Sequence, residues 1–277
     1  MKSTPLTISL LLFFSFSCYA QHTVLWKVTN AGNTNTSYLF GTYHLSGDSF
    51  IDSFPVIEEK IRSADMVITE TSLDREEVIK YYRERQATDN LSQILSKEDI
   101  QVVSSILKDK VDVFKLTPGE LYAYLVTNYQ NHICQPNKKD SMLADLYIQH
   151  LAIKNNKQTF YLEKNQLELF SKLTSSYTWD QIKKDVPELL NNYKRGSYDA
   201  KACVQAKKYL SLDLDYSFKQ SCSGSMEERN NNWIQQLNSL IAEKNCFIAV
   251  GFAHLYYKCG LIQQLRKAGY SVEEVKM

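Results

Sequence analysis

Excess charge of either sign is the first thing this chain lacks: 32 lysines and arginines stand against 31 acids, a formal net charge of +1. Acid and base are evenly mixed, which argues against a nucleic-acid partner, since that needs a basic face. Long apolar runs are missing too. The fullest, Leu6 to Phe16, falls short of the roughly 20 residues that span a bilayer, so no transmembrane helix is expected. No Cys-x-x-Cys occurs, which removes a thiolate zinc site and a redox dithiol. No His-Glu-x-x-His occurs either, which removes the zincin arrangement. Any site must therefore be assembled from residues far apart in the chain.

Among what is present, the first twenty residues differ from the rest. Lys2, the apolar core Leu6 to Phe16 and the Cys18-Tyr19-Ala20 ending read as a secretory signal cut after Ala20. Residues 21–277 would then form the exported chain, periplasmic or extracellular. Cys18 as a lipid acceptor is the weaker alternative, because Ser15-Phe16-Ser17-Cys18 departs from the Leu-Ala-Gly-Cys type. After that cut Cys134, Cys203, Cys222, Cys246 and Cys259 remain, an odd number in a compartment that permits disulfides. Cys203 and Cys222 flank a polar segment and are expected to bridge. Cys246, at the start of an apolar strand, reads as a small buried hydrophobe.

Two stretches organise the remainder. Tyr38-Leu-Phe-Gly-Thr-Tyr-His44 and Cys246-Phe-Ile-Ala-Val-Gly-Phe-Ala-His254 are each a short apolar run closed by Gly-x-x-His. Such a run reads as a buried strand. Its glycine permits either a positive-φ exit or a close backbone approach. The histidine then stands at the rim of a sheet, where α/β folds place their chemistry. One histidine of this kind is more often a packing residue; two behind matching strands point to one site built from two strand ends.

Thr23 to Val28 alternates and pairs as a hairpin with Ser37 to Phe40. Pro55 opens a helix, and Met66 to Thr69 is a strand ending at Glu70. If the strands run parallel, His44 and Glu70 leave neighbouring strands at one rim. Residues from about 73 to 155 read as a helical insertion, clearest at Leu121–Tyr129 and Met142–Ala152. His132 and His150 there carry no motif and read as surface or packing residues. Lys157 to Leu162 is a third strand, after which Glu163 is either a second strand-end carboxylate or an acid opening a helix. Residues 171 to 224 are polar, helical to irregular. Ser225-Met-Glu-Glu228 reads as a capping box before a helix with Trp233, Leu237, Leu240 and Ile241 as its stripe. Arg229 lies one turn before Trp233 and faces inward, which calls for a carboxylate or anionic ligand. A stem snorkelling out of the core is the plainer alternative. Leu261, Ile262 and Leu265 mark a short helix stopped by Gly269, then a strand from Tyr270 to Val275. The expected fold is α/β: a central sheet, strand-end Gly-x-x-His motifs from two pseudo-repeated halves, and a largely helical middle insertion.

Leu39-Phe-Gly-Thr-Tyr-His44, Glu70, Leu162-Glu163 with Gln166, Glu228-Arg-Asn230 with Trp233, Val250-Gly-Phe-Ala-His-Leu255, Gly260-Leu261 and Leu265-Arg-Lys-Ala-Gly-Tyr270 follow in order. Taken together, over about residues 23 to 275, they resemble the TraB/GumN family. That family is related to the Tiki metalloproteases and more distantly to erythromycin-esterase-like and ChaN-like proteins. The resemblance implies an α/β fold whose polar positions fall on His44, Glu70, Glu163, Arg229 and His254. Phe252 and Tyr256-Tyr257-Lys258-Cys259 depart from its pattern and are expected to narrow the pocket.

Two histidines with one or two carboxylates suit Zn²⁺, Mn²⁺ or Co²⁺, leaving a position for a water that attacks an amide or ester carbonyl. In that scheme His44 and His254 are ligands, and Glu70 is the third ligand or the general base. Glu163 supports a ligand or moves a proton, and Arg229 orients an acid or stabilises an oxyanion. The expected partner is a peptide or a small-molecule substrate. Three readings compete: a metal-free esterase with histidine as base, a binding protein that holds a peptide, haem or metal without turnover, and a purely structural envelope protein.

Overall fold

The computed structural model describes residues 23–277 except 33, 73–74, 108–110, 137 and 223. The expected signal segment, residues 1–20, lies outside the described residues. Six strands form one sheet: β1 Leu25–Thr29, β2 Thr36–Thr42, β3 Met66–Thr71, β4 Gln158–Glu163, β5 Cys246–Gly251 and β6 Ser271–Glu274. Their order is β4-β3-β5-β2-β1-β6. β4, β3, β5 and β2 run parallel, while β1 is antiparallel to both β2 and β6. The central β5 reads as a continuous apolar run because both its faces are covered, every residue being buried, whereas the edge strand β4 is largely exposed or half-buried. The β1–β2 hairpin forms as the alternation implies. β2 and β3 are not neighbours, however: β5 lies between them.

Twelve α-helices are described. They are α1 Asp48–Asp52, α2 Pro55–Ser63, α3 Arg75–Glu84, α4 Asn90–Ile94, α5 Lys97–Leu107, α6 Pro118–Tyr129, α7 Ala144–Lys154, α8 Gln166–Thr174, α9 Trp179–Lys194, α10 Ala200–Leu210, α11 Ser225–Glu243 and α12 Leu261–Lys267. α1, α2 and α7 pack on one another, and α11 packs on α12. Right-handed crossovers explain this division. The β2→β3→β4 connections step one way across the sheet and put α1, α2 and α7 on one face; β4→β5→β6 step back and put α11 and α12 on the other. The two strand–helix–strand units thus share an order of elements but travel in opposite directions. Such a reversal between adjacent parallel strands opens a crevice at their carboxyl ends, where α/β sheets bind ligands.

The core divides in two. One cluster covers the sheet and includes Ile148 and Leu151 of α7 and Trp233 and Leu237 of α11. The second joins Leu91, Val103, Leu121 and Leu125 to Ile182, Val186 and Leu190. The helical layer is therefore discontinuous in sequence: α7 leaves it for the sheet, and α9 returns to it from beyond residue 155. The stretch 171–224, expected as partly irregular, holds α9, α10 and the end of α8, and both longer helices carry side-chain caps at Thr178 and Asp199. The capping box at Ser225 does not form. Gly224, at φ +73°, is the N-cap of α11, and no side chain caps it. The expected Cys203–Cys222 bridge does not form either. Cys203 joins Cys134 and Cys222 joins Cys259, because α10 packs beside the turn after α6 and residues 256–258 lie against 216–220. Cys246 is free and buried, as its place in β5 requires.

Candidate functional site

The register brings the strand ends level: Thr42 lies opposite Gly251, and Thr71 opposite Glu163. Gly251 has no positive φ; its need is space. A Cβ there would stand 2.7 Å from His44 Nε2 and 3.1 Å from Glu70 Oε1. His44 and Glu70 therefore face the same spot in front of Gly251, which glycine alone leaves open.

The structure brings His44, Glu70, Glu163, Arg229 and His254 into one network. Arg229 is its centre. Nη2 donates to Glu70 Oε2 at 2.7 Å, Nε donates to Glu163 Oε1 at 3.1 Å, and Nη1 lies 3.1 Å from His254 Nε2. The guanidinium also covers the Trp233 ring, whose Nε1 donates to Glu163 Oε1 at 2.9 Å. The inward-facing cation thus has carboxylate partners on two strands. Glu70 Oε1 accepts the Gly251 N–H at 2.5 Å and lies 3.8 Å from His254 Nε2. Burial alone would raise the Glu70 carboxyl. The charged His44 and Arg229 and the Gly251 amide outweigh it and hold the group below the usual carboxylate range.

Asp145 and Asn230 complete the site, and neither was assigned a role from sequence. His44 Nδ1 lies 2.6 Å from Asp145 Oδ2, whose other oxygen accepts from Thr42 Oγ1 at 2.8 Å. Burial pulls the His44 imidazole down, but the Asp145 carboxylate wins and raises it to about 9. The ring is 57 % exposed and opens onto the cavity. His254 behaves oppositely. It is 3 % exposed, packs against Trp233 with ring centroids 4.2 Å apart and planes tilted by 33°, and its Nδ1 lies 2.6 Å from Asn230 Oδ1. Asn230 Nδ2 donates to the carbonyls of His254 and Cys259, so its oxygen must face the ring and the ring must carry hydrogen on Nδ1. Nε2 is left to accept from Arg229. Burial pushes His254 down to about 4 against the pull of Glu70, with Arg229 and His44 acting in the same sense as burial. His132 and His150 are exposed and lie outside this network.

A cavity of about 840 Å³ opens at the carboxyl ends of β2 and β5, lined by His44, Arg229 and His254. Phe252, Tyr256 and Tyr257, three of the five residues read from sequence as departures, form part of its wall, and Lys258 and Cys259 do not. In donor type the site suits a divalent ion: two imidazoles pinned through Nδ1 present Nε2, and a carboxylate lies beside them. In arrangement it holds the Arg229 guanidinium instead. Among the described residues no three histidines, cysteines or acids are grouped to hold a metal.

The described residues contain no helix long and apolar enough to cross a membrane. Compared with curated proteins, the chain matches none. The profile of the TraB/PrgY/gumN family matches residues 24–274, which takes in all six strands and every residue of the site. On that match, and with paired Gly-x-x-His strand ends meeting at one rim, the chain belongs to the TraB/PrgY/gumN family.

Proposed function

We propose that this chain is a hydrolase of amide or ester bonds, peptidase-like, that activates a water between Glu70 and His44. The observation that supports it is an acid and a base held side by side. His44, raised to about 9, keeps its second proton at neutral pH, whereas Glu70 stays ionised, and both face the space before Gly251. Water bonds to the carbonyl carbon as its proton passes to Glu70. His44 Nε2–H gives a proton to the departing nitrogen or oxygen as that bond breaks. Arg229 spends three of its five N–H groups on Glu70, Glu163 and His254, which leaves two for the developing oxyanion. His254 and Glu163 position that guanidinium.

A metal-assisted form has one observation in its favour, the Nδ1 partners Asp145 and Asn230, which leave both Nε2 atoms for the site. His44, Glu70 and His254 would hold the ion, and bound Zn²⁺, Mn²⁺ or Co²⁺ would supply Lewis acidity and an ionised water. Export belongs to the same proposal, supported by two disulfides that suit an oxidising compartment.

The test is turnover of amide and ester substrates before and after exhaustive chelation, with metal content measured on the same samples. Activity should survive chelation and fall about 10² to 10⁴-fold in His44→Gln and Glu70→Gln, the range for loss of a positioned acid or base. Activity lost on chelation and restored by one ion would establish the metal-assisted form. Tight ligand binding without turnover in either state would sink the hydrolase reading in favour of sequestration.

A further inference from the structure

A second cavity, of about 410 Å³, shares His44 with the first. Its walls are α7 and its N-cap, through Leu146 and Leu143, and α8, through Leu169, Phe170 and Leu173. His44, Leu45 and Arg229 line both cavities, so the two meet at the residues that do the chemistry. Helix α8 gives an independent reason to look here. Gln166, Leu169, Phe170 and Leu173 fall at i, i+3, i+4 and i+7, the stripe that normally seats a helix on a core. Yet α8 has no buried residue, and its leucines and Phe170 join neither core cluster. Leu143, Leu146 and Leu173 are 39, 37 and 46 % exposed, and all three face this one groove. Phe170 meets Tyr124 edge-on at 6.4 Å, but Leu173, with Leu143 and Leu146 opposite, is held open beside the reacting centre and is available to a ligand.

The walls also say what kind of ligand. Among the described residues lining the two cavities, the ionised side chains are His44, Glu70, Asp145 and Arg229, each paired, while His254 is neutral. No unpaired carboxylate is left to bind a free ammonium terminus, and the two N–H groups that Arg229 keeps are those assigned to the oxyanion. The larger cavity instead offers neutral donors and acceptors, Gln130, Gln205, Gln220 and Thr127, of the kind that match peptide amides.

We propose that the substrate is an extended peptide segment cut internally, lying across both cavities, with a large aliphatic or aromatic side chain seated in the α7–α8 groove. This rests on the hydrolase reading for the cut, but the groove can be tested without it. Internally quenched peptides, blocked at both ends, are assayed with Leu, Lys or Asp at each position in turn. Wild type is compared with Leu146→Asp and Leu173→Asp, whose exposed positions should leave the melting temperature unchanged. Binding of the same blocked peptides is followed by anisotropy in the Glu70→Gln background. The expected result is cleavage of blocked peptides with preference for Leu at one position, and a loss of about tenfold or more in kcat/KM for those peptides in either variant. Cleavage that needs a free terminus, or the same leucine preference in the variants, overturns the groove and leaves the hydrolase standing. If no peptide is cut, the peptidase form of the hydrolase reading fails, and binding decides the groove. Affinity for Leu peptides lost in the Leu146→Asp protein supports it, and equal or absent binding overturns it.

Discussion

Asp145 on one ring and deep burial of the other set the two imidazoles to different charge states. The carboxylate beside His44 Nδ1 keeps that ring protonated, while burial, with Arg229 nearby, keeps His254 neutral and Asn230 fixes its tautomer. Stability should record this. With an unfolded value near 6.5, His254 folded at about 4 declines a proton that the unfolded chain accepts, so stability is present above pH 6.5 and is lost as pH falls towards 4, by about 3 kcal/mol in full. His44, raised to about 9, does the reverse: its contribution is present below 6.5 and is lost as pH rises through 9. Urea unfolding from pH 4 to 9 should therefore peak near 6.5. His44→Gln should flatten the alkaline limb alone, and a limb that persists in that variant would contradict the pairing with Asp145. The five residues singled out from sequence are legible because each stands at a strand end or on an amphipathic stripe. Asp145 is not legible: it opens an ordinary-looking helix 101 residues from its imidazole. Asn230 is visible only as the residue after Arg229.

At the scale of elements, the two motif glycines do different work. Gly251 leaves room for His44 and Glu70, whereas a Cβ on Gly41 would meet Leu255 at 2.8 Å and the Phe252 backbone at 3.1 Å. Gly251→Ala should fold, giving up only the His44–Asp145 pairing as the exposed ring turns away, so that at pH 9 its melting temperature matches the wild type, but it should lose at least about a hundredfold in turnover because the acid leaves its place. Gly41→Ala should instead lose stability, about 1–3 kcal/mol, through overpacking of fixed neighbours. Paired melting and kinetic measurements separate the two; equal effects would refute the division. Strands and most helices could be read from periodicity, because an apolar run or a 3.6-residue stripe is a local property. The start of α11 misled because Ser-x-x-Glu satisfies the capping pattern, yet the chain enters through Gly224 in the left-handed region.

Across the whole molecule, two disulfides tie the outer helices to the site. Cys222–Cys259 clamps the segment carrying Tyr256 and Tyr257 to the cavity wall, and Cys134–Cys203 fixes α10 to the turn after α6. They close 37 and 69 residues of chain, worth about 2–4 kcal/mol each through the unfolded state. Reductant should lower the melting temperature of the wild type and leave a variant with all four cysteines changed to serine unmoved. Cys222→Ser/Cys259→Ser should in addition raise KM, as the cavity wall loosens. An unchanged KM would show that the hydrogen bonds from Tyr257 and Lys258 to residues 216 and 220 hold that wall alone.

The sequence by itself determined the α/β class, the strand-end positions of His44, Glu70 and His254, and the inward face of Arg229, and it left Glu163 open between a strand end and a helix start. Each follows from periodicity and composition within a few residues. Only the tertiary structure decided that β5 separates β2 from β3, which cysteines pair, and which acceptor each imidazole meets. Those depend on the direction of each crossover and on close contacts between segments tens to hundreds of residues apart, to which local periodicity is blind.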